Sequence, residues 1–245
     1  VMLAEGRFDE AETLLRKGLD EGILKAETYA LLRRKLTEKK FRRYMKQGKL
    51  DEAEAVLDVA DEQGIFDEAK ATNLRRTLSL RRCVEELVAQ MGEGWRPKEV
   101  WMQELLAGKS TTWEDEQLVG LLQYMEMLLD GLRLAKEGKK REAVARLKEA
   151  LKHNPDGVTA KDALEPLERE LETARTEGQR VRRINRLLAE ARRMFEAGKL
   201  QGALTRLEEA EELAQKVALP VRRRALLERV RRLKAQVEAA IGRQE

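Results

Sequence analysis

The residues best suited to catalysis are scarce in this chain, which has one histidine, His153, and one cysteine, Cys83. A lone cysteine cannot form an intrachain disulfide, and one histidine with one cysteine cannot supply the usual ligands of a zinc site. Carboxylate pairs such as Asp51-Glu52 lie in strongly charged segments, so we interpret them as solvated helix faces. The composition therefore predicts no metal site and no catalytic centre of the common kinds.

One short segment, residues 107–111 (AGKST), resembles the end of a phosphate-binding loop. Such a loop needs a second glycine five residues before Gly108 and a buried strand in front of it. Gln103 stands at that position, within a helical pattern. We therefore interpret the segment as a helix end with a glycine cap, followed by a polar turn.

Cys83 and His153 are also better explained by structure than by catalysis. Arg81 and Arg82 could lower the pKa of the Cys83 thiol, but no second cysteine or histidine lies nearby in the sequence. His153 falls in the last turn of a predicted helix, where a cation favours the helix dipole. We therefore predict that the chain is not an enzyme and that it needs no cofactor.

Nearly the whole chain has the periodicity of amphipathic helices, with apolar residues at i, i+3, i+4 and i+7. Charged residues make up 38% of the chain and aromatic residues 4%, which argues against a large buried sheet. The pattern predicts an all-α chain of about eleven helices, broken at Gly or Pro. They cover residues 9–20, 25–47, 51–62, 67–91, 97–107, 113–137, 141–153, 159–177, 180–197, 201–217 and 220–241. Pro166 should kink its helix or delay the start of that helix.

An internal repeat relates four of the predicted helical hairpins. Residues 5–15 and 47–57 have nearly the same sequence at an offset of 42, and shorter copies cover 136–150 and 196–210. All four share a glycine, an alanine five residues later and a leucine four residues after that. The glycine suits a tight turn, the alanine allows two helices to approach closely, and the leucine packs between neighbouring helices.

This spacing resembles the tetratricopeptide repeat (TPR) family. The best copy, residues 124–157, has the 34-residue length usual for that family, and its LKHNPDG ending is similar to the family's repeat ending. Residues 183–216 also fit but lack the closing proline, whereas 92–123 and 158–182 fit no copy. The resemblance implies a right-handed α-solenoid of TPR-like helical hairpins, in which stacked hairpins cover one another's apolar faces.

The three tryptophans, Trp95, Trp101 and Trp113, all lie in the tract that interrupts the repeats. We interpret them as a small core that seals the joint between two repeat blocks, with an interaction hot spot as the alternative. The predicted segments are 1–91 with N-terminal TPR-like repeats, 92–123 as the tryptophan-bearing connecting tract, and 124–245 with C-terminal TPR-like repeats and a basic terminal helix.

TPR proteins are usually scaffolds that bind a peptide or protein segment in a concave groove lined by the first helix of each repeat. The resemblance therefore implies a set of groove residues on three helices. They are Lys35, Arg42, Lys46, Met125, Leu132, Lys136, Asn185, Arg192 and Phe195. One TPR subgroup clamps a C-terminal carboxylate with lysine and asparagine, but this chain has leucine or arginine at those positions, at Leu128, Leu132, Leu188 and Arg192.

Two basic runs are the most informative polar feature. Residues 33–46 carry eight basic residues against one acidic residue, and residues 222–234 carry seven against one. The candidate contact residues on the basic terminal helix are Arg222, Arg223, Arg229 and Arg232. A basic face can pair with acidic neighbouring helices, or it can attract an acidic protein or the phosphate backbone of a nucleic acid.

Together these features favour a non-catalytic adaptor or scaffold in the cytoplasm that holds a partner polypeptide within a larger assembly. No stretch approaches the ~18 apolar residues that a membrane-spanning helix needs. The first repeat copy lacks half of its first helix and the chain begins at Val1, so we expect further repeats or another domain upstream. Two alternatives stay open: a protein that binds nucleic-acid phosphates through its basic helices, and a helical regulatory segment of a larger enzyme.

Overall fold

A computed structural model describes residues 7–109 and 113–243. This described part contains ten α-helices and no strand, which confirms the predicted all-α class. The helices are α1 Phe8–Asp20, α2 Ala26–Gln47, α3 Leu50–Glu62, α4 Glu68–Met91, α5 Val100–Leu106, α6 Asp115–Lys136, α7 Lys140–His153, α8 Val158–Glu196, α9 Leu200–Gln215 and α10 Pro220–Ile241. None of these described helices is long and apolar enough to cross a membrane.

The described part has fewer helices than the eleven predicted, because residues 159–177 and 180–197 belong to one helix, α8. The predicted break at Gly178 is wrong, since glycine inside a helix costs only about 1 kcal/mol relative to alanine. α8 begins at Val158, so the delayed start that Pro166 suggested is also wrong. Hydrogen bonds from Thr159 to Glu99 stabilise the first turn of α8, which precedes Pro166 in the sequence.

The chain divides into two compact units between Leu167 and Glu168, inside α8. In the first unit, α1 to α4 pack in sequence order, and α6 packs on both α4 and α7. In the second unit, α9 and α10 share a core with the part of α8 that follows the division. The segment boundaries predicted after residues 91 and 123 both lie inside the first unit.

The repeat positions form the most tightly packed helix faces in α3, α7 and α9. Their alanines and leucines are at most 1% exposed: Ala53, Leu57, Ala60, Ala143, Leu147, Ala150, Ala203, Leu207 and Ala210. The turn before α7 needs Gly138, whose φ of 78° is unfavourable for other residues. A Cβ at Gly131 on α6 would lie 2.9 Å from Leu147, so glycine permits the close approach of α6 and α7.

The tryptophan-bearing tract contributes to the core of the first unit. Trp101 packs edge-on against Trp113 and Tyr124, with ring centroids 6.5 and 6.4 Å apart. Trp95, Trp101 and Trp113 are all half-buried against a core that α4 to α7 and the start of α8 build together. These indoles therefore bury much of their area within the unit, and a smaller part faces solvent.

Glu99 ties this tract to the first turn of α8. Its carboxylate accepts hydrogen bonds from the Tyr124 hydroxyl at 3.0 Å, the Thr159 backbone N–H at 2.8 Å and the Thr159 hydroxyl at 2.6 Å. Because the first N–H groups of a helix carry partial positive charge, a carboxylate is stabilised there. The Glu99 side chain is buried, so these three donors replace the water that it loses.

Ala143→Leu should lower the free energy of unfolding by about 1–3 kcal/mol, because added methylenes force closely packed helices apart. The matched control is Ala145→Leu on the exposed face of α7, which should change stability by less than about 0.5 kcal/mol. Urea unfolding followed by circular dichroism measures both variants. Equal unfolding midpoints for the two variants would contradict the close packing at Ala143.

Alkaline pH should destabilise the first unit through Tyr124. Burial, followed by the charge of Glu99 and the hydrogen bond to it, raises the pKa of the Tyr124 hydroxyl well above its usual value of 10. The unfolded chain then loses this proton at lower pH than the folded chain. Stability from this group is therefore fully present below pH ~10 and falls by about 1.4 kcal/mol per pH unit above that value.

Tyr124→Phe isolates this effect, because it removes the titrating hydroxyl. Near neutral pH the variant should lose about 1–3 kcal/mol of stability, since the buried Glu99 carboxylate loses a donor. Above pH ~10 its stability should decline less steeply than that of the wild type. Urea unfolding at several pH values measures both slopes, and equal slopes would show that Tyr124 does not cause the decline.

Candidate functional site

Cys83 lies in an environment that opposes a thiolate. It is half-buried on α4, and desolvation, followed by the charges of Glu86 and Glu126, raises the pKa of its thiol. Arg81 does not offset this effect, because its guanidinium donates to the Glu85 carboxylate and to the Leu105 carbonyl. The flanking arginines therefore do not lower the pKa of this thiol.

The segment that resembles a phosphate-binding loop ends a short helix. Gly108 follows α5 with a φ of 66°, and a Cβ there would lie 2.5 Å from the Cα of Lys46. This glycine thus allows the end of α5 to approach the end of α2. Ser110 and Thr111 lie outside the described residues. The described residues contain no group of three or more His, Cys, Asp or Glu side chains placed to hold a metal ion.

The groove candidates on α6 do not form an open surface. Met125 is fully buried, and Leu132 is half-buried against the same core. Lys136 is exposed, and it donates a hydrogen bond to the backbone oxygen of Gln90 at 2.7 Å. Because Met125 is buried in the core to which α4 and α6 both contribute, it is not available to a partner.

Much of the basic run on α2 is paired with acids on neighbouring segments. Arg33 contacts Glu12 of α1 at 3.6 Å, and Lys40 contacts Asp9 of α1 at 2.9 Å. Lys35, Arg42 and Lys46 are exposed. Of these, Lys35 and Arg42 line an open groove between α1 and α2, whereas Lys46 lies beside the turn at Gly108.

In the second unit, four predicted contact residues come together. α8 and α10 enclose a groove of about 390 Å³. Its polar lining combines two candidates from the TPR resemblance with two from the basic terminal helix and one further amide. These residues are Asn185, Arg192, Arg229, Arg232 and Gln236. We call this site the arginine groove; its lining also includes Leu188 and Leu233, both nearly buried.

Helical spacing places these side chains on facing surfaces. Asn185 and Arg192 are seven residues apart on α8, as are Arg229 and Gln236 on α10, so each pair lies on one face of its helix. The apolar stripe of α10 is buried against α8 and α9, which fixes the rotation of α10. The stripe consists of Leu226, Val230, Leu233 and Val237.

The two basic sides of α10 differ in their charge partners. Arg231 and Lys234 contact Glu211 of α9 at 3.7 and 3.3 Å. Arg229 and Arg232 face the arginine groove, where no acidic side chain belongs to the described lining. Among the described residues, one basic side of α10 is thus paired with Glu211, whereas Arg229 and Arg232 form no ion pair.

Within the arginine groove, the arginines have few partners of their own. Arg229 donates to Asn185 Oδ1 at 3.3 Å. Arg192 and Arg232 make no hydrogen bond or ion pair with any other described residue. Planar guanidinium groups without such partners can bind carboxylate or phosphate oxygens through paired hydrogen bonds. No aromatic side chain lines the groove in the described part, so it offers no surface for base stacking.

The other predicted residues of the second unit lie outside this lining. Phe195 is half-buried in the core of the unit. Arg222 is exposed and Arg223 is half-buried, both near the start of α10. Gln236 was not predicted, although its spacing from Arg229 places it on the same face.

Glu99, in the first unit, was also not predicted, because its buried contacts depend on residues distant in the sequence.

We found no match to this chain among protein-family models, curated proteins or solved structures. The resemblance to tetratricopeptide repeats therefore rests on the sequence pattern, and we argue the function from the residues themselves.

Two charge reversals on α10 should have opposite effects on stability. Arg232→Glu places a carboxylate near Arg192 and Arg229, so the free energy of unfolding should stay equal or rise by less than about 1 kcal/mol. Lys234→Glu replaces the partner of Glu211 with a like charge and should lower the free energy of unfolding by less than about 1 kcal/mol. Urea unfolding at low ionic strength compares the two. Equal destabilisation by both would contradict the uncompensated charge of the arginine groove.

Proposed function

We propose that this chain is a non-catalytic adaptor or scaffold, and that the arginine groove binds an acidic segment of a partner polypeptide. The observation that carries the proposal is the group of three arginines beside Leu188 and Leu233, without an acidic residue in the described lining. Like charges held together cost free energy in the unbound protein, and residues of that kind often serve binding. Carboxylates on a ligand supply the missing counter-charges.

The proposed architecture is a solenoid of TPR-like hairpins. Its support in the second unit is the position of α9, whose Ala203, Leu207 and Ala210 are buried in one core with α8 and α10. In such an arrangement α8 and α10 are the first helices of successive hairpins. The groove between them then corresponds to the partner-binding groove that the resemblance implies.

A nucleic acid is the competing ligand, and the lining of the arginine groove favours a polypeptide. Binding to a phosphate backbone relies on a positive surface that contacts several phosphates in succession. The arginine groove is short, its lining includes two leucines, and the neighbouring Arg231 and Lys234 are already paired with Glu211.

Fluorescence anisotropy with a labelled peptide of alternating glutamate and leucine tests this function. The protein should bind the peptide, and affinity should fall as salt increases, because the contacts are charged. The double variant Arg192→Glu with Arg232→Glu should weaken binding at least about tenfold. The matched control is Arg175→Glu with Arg243→Glu, which makes the same charge change at exposed positions outside the groove.

Two outcomes would overturn the proposal. One is an equal loss of peptide binding in the groove variant and the control, which would reduce the effect to net charge. The other is binding of duplex DNA or RNA at ~0.15 M salt with a steep salt dependence, while the acidic peptide fails to bind. Circular dichroism verifies that each variant keeps its helix content.

A further inference from the structure

The repeat face of α1 is more exposed than those of the other repeat helices. At the 42-residue offset, Ala11 and Leu15 of α1 correspond to Ala53 and Leu57 of α3. The α3 residues are at most 1% exposed, whereas Ala11 and Leu15 are only partly buried. The adjacent Leu14 is 51% exposed. The same sequence pattern therefore produces a buried face in one helix and an open face in the other.

Packing explains this difference. The repeat face of α3 is covered by Phe41 and Met45 from α2 and by Leu74 and Leu78 from α4. α1 packs mainly on α2. A face of α1 that corresponds to the covered side of α3 is thus left open among the described helices.

The open face forms a groove of about 530 Å³ between α1 and α2, which we call the leucine groove. Its apolar lining is Ala11, Leu14, Leu15, Leu32 and Leu36. Its polar lining is Lys35, Glu38, Lys39 and Arg42. Apolar residues recur on both helices at the spacing that holds one face of a bound helix.

The charges around the leucine groove favour an acidic ligand. Lys35 and Lys39 lie one turn apart and form no ion pair with another described residue. Glu38 does not neutralise them, because its carboxylate contacts Lys70 at 3.0 Å and Arg42 at 2.5 Å. Two cations therefore flank the apolar floor and are available to carboxylates of a ligand.

The charged lining of the leucine groove differs from the equivalent positions in the next repeat. Glu38 and Arg42 correspond to Leu80 and Val84 of α4, which are fully buried in a core with α5 and α6. α2 has charged residues where α4 has these apolar ones. A partner with both an apolar face and charged groups therefore fits this lining.

We propose that the leucine groove is a docking site for an amphipathic helix of a partner protein. The helix has leucine-type residues on one face and acidic residues along the edge of that face. The apolar face lies on Leu14, Leu15 and Leu36, and the acidic edge pairs with Lys35 and Lys39. This site belongs to the first unit, so it does not rest on the function proposed for the arginine groove.

The test uses the full chain and two synthetic helical peptides with the same leucine spacing, one flanked by glutamates and the other by lysines. Fluorescence anisotropy should show that the glutamate peptide binds at least about tenfold more tightly. Leu14→Glu should weaken that binding by a similar factor. The matched control is Leu31→Glu, since Leu31 is 53% exposed but lies outside the leucine groove, and it should bind like the wild type.

A charge reversal distinguishes the proposed contacts from non-specific binding. Lys35→Glu with Lys39→Glu should reverse the preference, so that the lysine peptide binds more tightly. Equal affinity for both peptides, binding by neither, or an equal effect of Leu14→Glu and Leu31→Glu would overturn the proposal. Light scattering without peptide covers the remaining occupant: a dimer that only Leu14→Glu dissociates would show that a second copy fills the groove.

Discussion

An amphipathic helix in this chain can bury its apolar stripe only if a neighbouring backbone comes close enough to exclude water. Alanine and glycine at the repeat positions are small enough to let two helices approach this closely. Ala143 and Leu147 of α7 pack against α6, where Gly131 leaves room for the leucine side chain. These small residues belong to cores to which the neighbouring helices also contribute apolar side chains.

The charged residues follow from the same packing. Where helices lie together, many of their charges pair across the contact, as Arg75 does with Asp58 and Asp61, and Lys234 with Glu211. By contrast, Lys35 and Lys39 of the leucine groove and Arg192 and Arg232 of the arginine groove form no ion pair with another described residue. We propose that partners bind at the arginine groove of the second unit and at the leucine groove of the first unit.

Sequence periodicity was sufficient to predict the all-α class and the bounds of the last helix, because both depend on spacing within a single helix. Periodicity predicted a helix break at Gly178 that the structure does not have. One glycine costs a helix only about 1 kcal/mol, and tertiary packing can offset that cost. The burial of Met125 could not be predicted either, because it depends on which face of α6 receives α4. For the same reason, Glu99 gave no signal: Tyr124 and Thr159 are far from it in the sequence.

Hydrogen–deuterium exchange with an acidic peptide is the most direct measurement of the central claim, that the uncompensated arginines form a binding surface. We predict that bound peptide slows amide exchange in residues 185–192 of α8 and 229–236 of α10, and that exchange in α9 changes less. Slower exchange spread evenly over every basic helix, or confined to segments outside the arginine groove, would contradict it.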